Sequence, residues 1–497
     1  MRFTKAIVLT TVLAWASAGL SNVMELPQAL KDSWSKEVNS TELEYNTKTW
    51  IRTLLDGNYQ DAAHNWSSVD GVLPERLTPL ADATYLVLAL NNELYQTSFN
   101  RMVVLLGRSS FTKSASWRSV EATLTQSYPA IINDKAVTVS KEQQAALGKL
   151  PWAGMAGVLK SFAANRGGAL ATDALKNETR VLPWTHRLAL SAALDQAKDE
   201  NLDQAIQTLS AAYKKAGDNA SAKDQLALAL GRMYYQKADL KTAEEWYSKI
   251  SAKSPEGLTA NEELLWVWLR NGNTDHLRGT AAAIESNYLT THFMPESLVV
   301  KTISDLKLCQ FDTAKRDFGA FLETNRDWAK RIDQALKAET APLPPNADWY
   351  ALSITTSLKE RSKELERVKA LAAESVAAAV PAVGRQKHWD DVAKDLTGHV
   401  TRLTTQQSSE YRRQWRNNSS MLREAIRKMQ FVKVEMASQS DAGAKAHPES
   451  DTSATDAKKA VTVIDKAGES GWTFPADDEE WLDERLSMRS TGSSVCL

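Results

Sequence analysis

The residues best suited to acid–base work or metal ligation in this chain are seven histidines, and their spacing favours neither. His64, His186, His276, His292, His388, His399 and His447 are dispersed. No two stand three or four residues apart, the spacing that brings two imidazoles to one helix face and makes a metal site. His-Glu-x-x-His, Cys-x-x-Cys, Gly-x-x-x-x-Gly-Lys-Ser/Thr and Gly-x-Ser-x-Gly are all absent, so the spacings that activate water, cradle phosphate or expose a nucleophilic serine are missing. Carboxylate pairs such as Asp390-Asp391 fall on segments that read as exposed helices, whereas an acid–base pair needs a shaped cleft to drive two pKa values apart. These observations point to a non-enzymatic protein with no cofactor and no metal. Cys309 and Cys496 are the only cysteines and form a candidate disulfide if the chain reaches an oxidising compartment.

The elements that carry these side chains read as helical. Gly (21) and Pro (14) are scarce in 497 residues, against the turn-dense composition of a sandwich or barrel. Sixty basic against 61 acidic residues leave a formal charge of −1, which excludes a partner recruited by bulk charge, nucleic acid included. At the N-terminus, Arg2 and Lys5 precede an uncharged apolar run from Ala6 to Trp15 and then Ala16-Ser17-Ala18, the pattern of a cleavable secretory signal over residues 1–18. The run is too short to span a bilayer. The expected location is periplasmic or secreted.

Between Asp224 and Glu256, Leu230, Gly231, Tyr234, Leu240, Ala243, Tyr247, Ile250 and Pro255 recur at the spacing of a helix pair. Weaker copies flank it. Leu202, Ala205, Leu209 and Ala212 lie upstream, Trp268, Leu277, Ala281 and Ile284 downstream, then Phe311, Ala314, Phe318 and Phe321. The anchors Ala205, Ala243, Leu277 and Ala314 are 38, 34 and 37 residues apart, near the period of about 34 of the tetratricopeptide repeat. Gly57-Asn58-Tyr59 followed by Ala62, Trp66, Val69 and Pro74 fits the same template; residues 102–180 fit it poorly. The central segment resembles one tetratricopeptide repeat almost position for position. The expected fold is therefore all-α: a tetratricopeptide-like α-solenoid over residues 19–337, then long C-terminal helices and a mostly disordered tail.

The resemblance implies that the first helix of each pair lines a concave groove. Carried over by position, the groove residues are Gln225, Arg232, Tyr235 and Gln236 in the central repeat, Arg187 and Lys198 before it, and Trp266, Arg270 and Lys307 after it. The last position of the set reads Lys198, Gln236, Arg270, Lys307, a polar and mostly cationic ladder that suits an acidic protein or peptide partner with aromatic anchors.

Ala341-Pro342-Leu343-Pro344-Pro345 disfavours helix and marks a linker at 338–348. Two long amphipathic helices are expected over 349–436, broken at Pro381. The second is basic, with Arg412, Arg413, Arg416, Arg423, Arg427 and Lys428, which raises the alternative of a membrane-surface module. Residues 437–469 lack large apolar side chains and read as a disordered linker. The tail 470–497 combines Trp472, Phe474 and Trp481 with an acidic run, a pattern suited to docking on this chain's own groove or on a second copy. This C-terminal part resembles exported repeat proteins of gliding and predatory delta-proteobacteria. The function expected from the whole is a non-enzymatic scaffold of the cell envelope, and that likeness implies a place in a motility or envelope-spanning assembly. The alternative from another class is a glycan- or peptidoglycan-processing enzyme.

Overall fold

The computed structural model describes residues 25–446, apart from 67–68, 71, 166–170, 288–291 and 378–386. The signal segment and the tail with Trp472, Phe474 and Trp481 lie outside the described residues. Among those described there is no strand. The chain forms helices α1 (Gln28–Glu37), α2 (Tyr45–Leu55), α3 (Tyr59–His64), α4 (Thr78–Asn91), α5 (Tyr95–Leu106), α6 (Ser109–Thr112), α7 (Ala115–Asp134), α8 (Lys141–Gly148), α9 (Gly154–Asn165) and α10 (Ala171–Asn177). These are followed by α11 (Thr185–Lys198), α12 (Leu202–Lys215), α13 (Ala220–Gln236), α14 (Leu240–Tyr247), α15 (Gly257–Asn271), α16 (Thr274–Asn287), α17 (Ser297–Lys307), α18 (Phe311–Lys337), α19 (Trp349–Ala377) and α20 (Lys387–Ala446). The described residues fall into two compact units, one within 25–184 and 353–405, the other within 185–352 and 406–446.

A single kind of turn joins the helices within each pair of the second unit. Glu200, Ala238, Gly272 and Cys309 each adopt φ between 57° and 75°. The next residue then sends its N–H to the carbonyl five positions back: Asn201 to Gln196, Asp239 to Tyr234, Asn273 to Trp268 and Gln310 to Asp305, all at 2.9–3.0 Å. This is the left-handed helix ending that satisfies terminal carbonyls. The residue making that bond then starts the next helix. Asn201, Asp239 and Asn273 accept the N–H three residues on, from Gln204, Thr242 and His276, so one short polar side chain caps three of the four second helices; Gln310 before α18 makes no such cap. The turns are 38, 34 and 37 residues apart, the spacing of the apolar anchors.

Packing follows the sequence pattern. Ala205, Leu209, Ala243, Tyr247, Leu277, Ala281, Ile284, Ala314 and Phe321 are all buried. A Cβ on Gly231 would come within 2.8–2.9 Å of the Tyr247 ring, so glycine is what lets α13 and α14 approach. First helices also touch in sequence, α11 with α13, α13 with α15 and α15 with α17. Pro255 does not stop α14, which ends at Tyr247. It lies in the turn before α15, where a missing N–H costs nothing.

In the first unit, tryptophan provides much of the core. Trp34, Trp50, Trp66 and Tyr85 stand in a row with ring centroids 5.3, 5.7 and 4.9 Å apart, in the edge-on and tilted geometries that aromatic quadrupoles favour. Trp34 Nε1 donates to Thr84 and Trp50 Nε1 to the Ala62 carbonyl, both at 2.8 Å. Helix α5 begins after Leu94, which has no side-chain acceptor. Glu364 of α19 takes that role, accepting the N–H groups of Gln96 and Thr97 at 3.0 Å and the Thr97 hydroxyl at 2.8 Å. Arg361, fully buried, pairs with the same carboxylate and donates to the Lys135 carbonyl.

Residues 338–348 hold no helix but are packed: Ala341 is buried, Trp415 Nε1 donates to the Pro342 carbonyl at 2.8 Å and Asn346 to that of Phe293 at 2.6 Å. The segment therefore separates α18 from α19 while staying within the second unit. Helix α20 runs to Ala446, ten residues into the segment expected to lack structure.

Candidate functional site

The residues expected to line a groove fall into two sets. Lys198, Gln236, Arg270 and Lys307 are exposed, and each stands two residues before a left-handed turn residue, at the C-terminal end of a first helix. Cations are favoured there by the unpaired carbonyls and the helix dipole, which gives the ladder a local cause independent of any partner. Lys198 also meets Asp195 at 3.4 Å, and the Arg270 guanidinium stacks 4.7 Å from the Tyr235 ring.

The second set lies along the helix bodies and is engaged within the chain. Arg232 binds Glu263 through both Nε contacts at 3.0 Å. Arg187 sits 4.9 Å over the Trp349 ring, and Gln225 reaches Ser221 at 3.4 Å. Trp266 Nε1 donates to Glu296 at 2.7 Å. Its ring faces the Lys428 ammonium of α20 at 4.9 Å, and Lys428 also pairs with Glu296. Ala425, Met429, Val432 and Met436 of α20 are buried in one core cluster with Leu264, Trp268, Leu298 and Phe321, against which Leu228, Tyr235 and Trp266 pack. The chain's own helix thus covers the middle of the face read as open to a partner. Glu262, beneath this contact, accepts the Glu296 N–H at 2.9 Å, and burial pushes its carboxyl up to about 8.

The basic run on α20 is mostly spent in the same way. Arg412 donates to the Ala338 and Glu339 carbonyls, Arg413 pairs with Glu410 and Asp348, Arg423 reaches Ser419 and Arg427 pairs with Glu424. Little of it is arranged as a free cationic face. No described helix is long and apolar enough to cross a membrane. Cys309 holds the left-handed turn before Gln310, and Cys496, the other cysteine of the chain, lies outside the described residues, as does the proposed docking tail.

A concave site lies in the first unit, at positions the sequence pattern did not single out as a group. A cleft of about 330 Å³ is bounded by Trp66, Asp70, Tyr85, Thr97, Asn100, Arg101 and Val104 and by His388, Asp391, Val392 and Asp395 of α20. At its floor, His388 Nδ1 is 3.3 Å from Asp70, and Nε2 is 3.1 Å from the Tyr85 hydroxyl. An imidazole that donates to the carboxylate from Nδ1 accepts the phenol proton at Nε2. The hydrogen bond from His388 holds the Asp70 carboxyl below the ordinary carboxylate range, while burial raises the Tyr85 phenol. Arg101 is committed to Asp82, and Asn100 donates to Asp395 at 3.2 Å.

Among the described residues no group of histidine, cysteine and carboxylate side chains could hold a metal ion. The cleft draws on a turn near Asp70, on α4 and α5, and on α20 some 300 residues later, so no local motif announces it. Its one readable trace is that His388, Asp391, Val392 and Asp395 follow the i, i+3, i+4, i+7 pattern of a single helix face. No protein-family model, curated protein or solved structure matches this chain.

Proposed function

We propose that this protein is a non-enzymatic scaffold built as a tetratricopeptide-like α-solenoid, exported to the cell envelope, that holds an acidic protein segment against its repeat array. The observation that carries this reading is the recurring turn. The same left-handed ending and 6→1 hydrogen bond recur at 38, 34 and 37 residues with the first helices in lateral contact, the arrangement by which repeats stack into a continuous binding surface. Because α20 occupies the middle of that surface, the partner is met at its edge, on the exposed Lys198, Gln236, Arg270 and Lys307.

The test uses the full chain and a fluorescent peptide with the sequence of residues 472–484 as an acidic, aromatic probe. Charge reversal of Lys198, Arg270 and Lys307 together should weaken binding about tenfold or more, and added salt should weaken binding to the unaltered chain. Binding that is indifferent to both changes removes the proposal.

A further inference from the structure

The cleft of the first unit has a pronounced imbalance between donors and acceptors. Most of its donors are already used: the Asn100 amide by Asp395, His388 Nδ1 by Asp70 and the Tyr85 hydroxyl by His388 Nε2, while Arg101 pairs with Asp82 and keeps its Nε without a partner. Its acceptors are not. Asp391 is exposed and enters no ion pair among the described residues, the Asp70 and Asp395 carboxylates each have an oxygen to spare, and the Tyr85 oxygen keeps a lone pair once its proton points to His388. Three carboxylates against the single guanidinium of Arg101 favour a ligand that brings donors and positive charge.

The walls restrict the ligand further. Trp66 and Tyr85 form an aromatic floor, and Val104, 52 % exposed, lies at the mouth with Val392. Aromatic faces and aliphatic walls suit the methylene stem of an alkylammonium, with cation–π attraction adding to the carboxylates. At about 330 Å³ the cleft falls at the small end of ligand sites, the scale of one side chain or a small amine, not of an extended peptide.

We infer that this cleft is a binding site for a primary ammonium group on an aliphatic stem, whether a lysine side chain of another protein or a free alkylamine. The ammonium sits among Asp70, Asp391 and Asp395, and the stem lies over Trp66 and Tyr85 towards Val104. This site is independent of the cationic repeat edge and selects the opposite charge.

Calorimetric titration of the full chain with three probes tests it: Nα-acetyl-lysine methylamide, the uncharged Nα-acetyl-norleucine methylamide, and n-butylamine. The lysine probe should bind and weaken as salt rises from about 50 to about 500 mM; the norleucine probe should not bind. Equal binding of n-butylamine identifies a free amine as sufficient, and binding of the lysine probe alone identifies a peptide side chain. Asp391→Asn should weaken binding about tenfold. Val104→Lys, which places an ammonium of the chain's own at the mouth, should abolish it. Both positions are exposed, and an unchanged thermal melt shows that the variants fold. No binding of either ammonium probe at about 10 mM, norleucine binding as tightly as lysine, or Asp391→Asn binding like the unaltered chain overturns the inference.

Discussion

The two compact units end many of their helices with the same left-handed turn and share the local cap that follows it, Asn58 after Gly57 in the first unit included, but the start of α5 in the first unit is made by different means. In the second unit Asn201, Asp239 and Asn273 cap their own helices from one residue past the turn. In the first, the equivalent position before α5 is Leu94, and the cap comes from Glu364, far along the chain on α19. A local cap makes a repeat that depends on its neighbours mainly for packing. A remote cap makes helix α5, one wall of the cleft, depend on a distant segment and on the buried Arg361 that shares the carboxylate. The charges differ as well: polar positions on the repeat face are engaged by neighbouring helices and, at Trp266 and Glu296, by Lys428 of α20, while Asp391 of the cleft enters no ion pair among the described residues.

That contrast can be broken most directly at Glu364. Glu364→Ala leaves Arg361 buried without its partner and two N–H groups unmet, and should cost about 3–5 kcal/mol in chemical denaturation. Met429→Ala, which empties a buried position where α20 covers the repeat face, should cost about 2–5 kcal/mol. A near-zero cost would mean that α20 is held only loosely there.

The pH dependence sharpens the same comparison. Glu262 has its folded pKa raised from 4.5 to about 8, so the folded state keeps a proton that the unfolded chain has released. Its contribution therefore falls as pH rises from about 4.5 to about 8, with a slope of at most about 1.4 kcal/mol per pH unit. Asp70, whose folded pKa is lowered, acts in the opposite sense: its contribution is present above the unfolded pKa and is lost as pH falls through the lower folded value. Melting curves across this range should be flatter for Glu262→Gln than for the unaltered chain. Identical curves would show that Glu262 is ionised in the fold.

The smallest effects belong to the local turns. Asp239→Ala should cost about 1 kcal/mol, well below Glu364→Ala; equal costs would erase the distinction between local and remote caps. Ala238→Gly, at φ 59°, should raise stability by about 0.5–1 kcal/mol in the same denaturation assay, because a Cβ is disfavoured in that conformation. A loss of stability would mean that glycine's entropy in the unfolded chain outweighs the relief.

Much of the second unit was legible because its determinants lie within one turn of the helix they act on. The spacing of Ala205, Ala243, Leu277 and Ala314, and the need for a small residue at Gly231 against Tyr247, are consequences of two helices pairing across a short connection. The sequence could not show that α20 would cover Trp266 and Tyr235, since a basic amphipathic helix reads the same whether its partner is water, lipid or its own chain. Nor did it show the cleft, whose histidine stood in the sequence as one of seven isolated residues.

The sequence by itself determined the helical class, the period of the repeats and the absence of common catalytic motifs, because 3.6-residue periodicity and motif spacing are short-range properties. Only the tertiary structure decided which cations remained exposed, that Lys428 would close on Glu296, and that Asp70, Tyr85 and His388 would meet. Those outcomes depend on desolvation and on pairing between segments hundreds of residues apart, energies that exist only once the surfaces have been brought together.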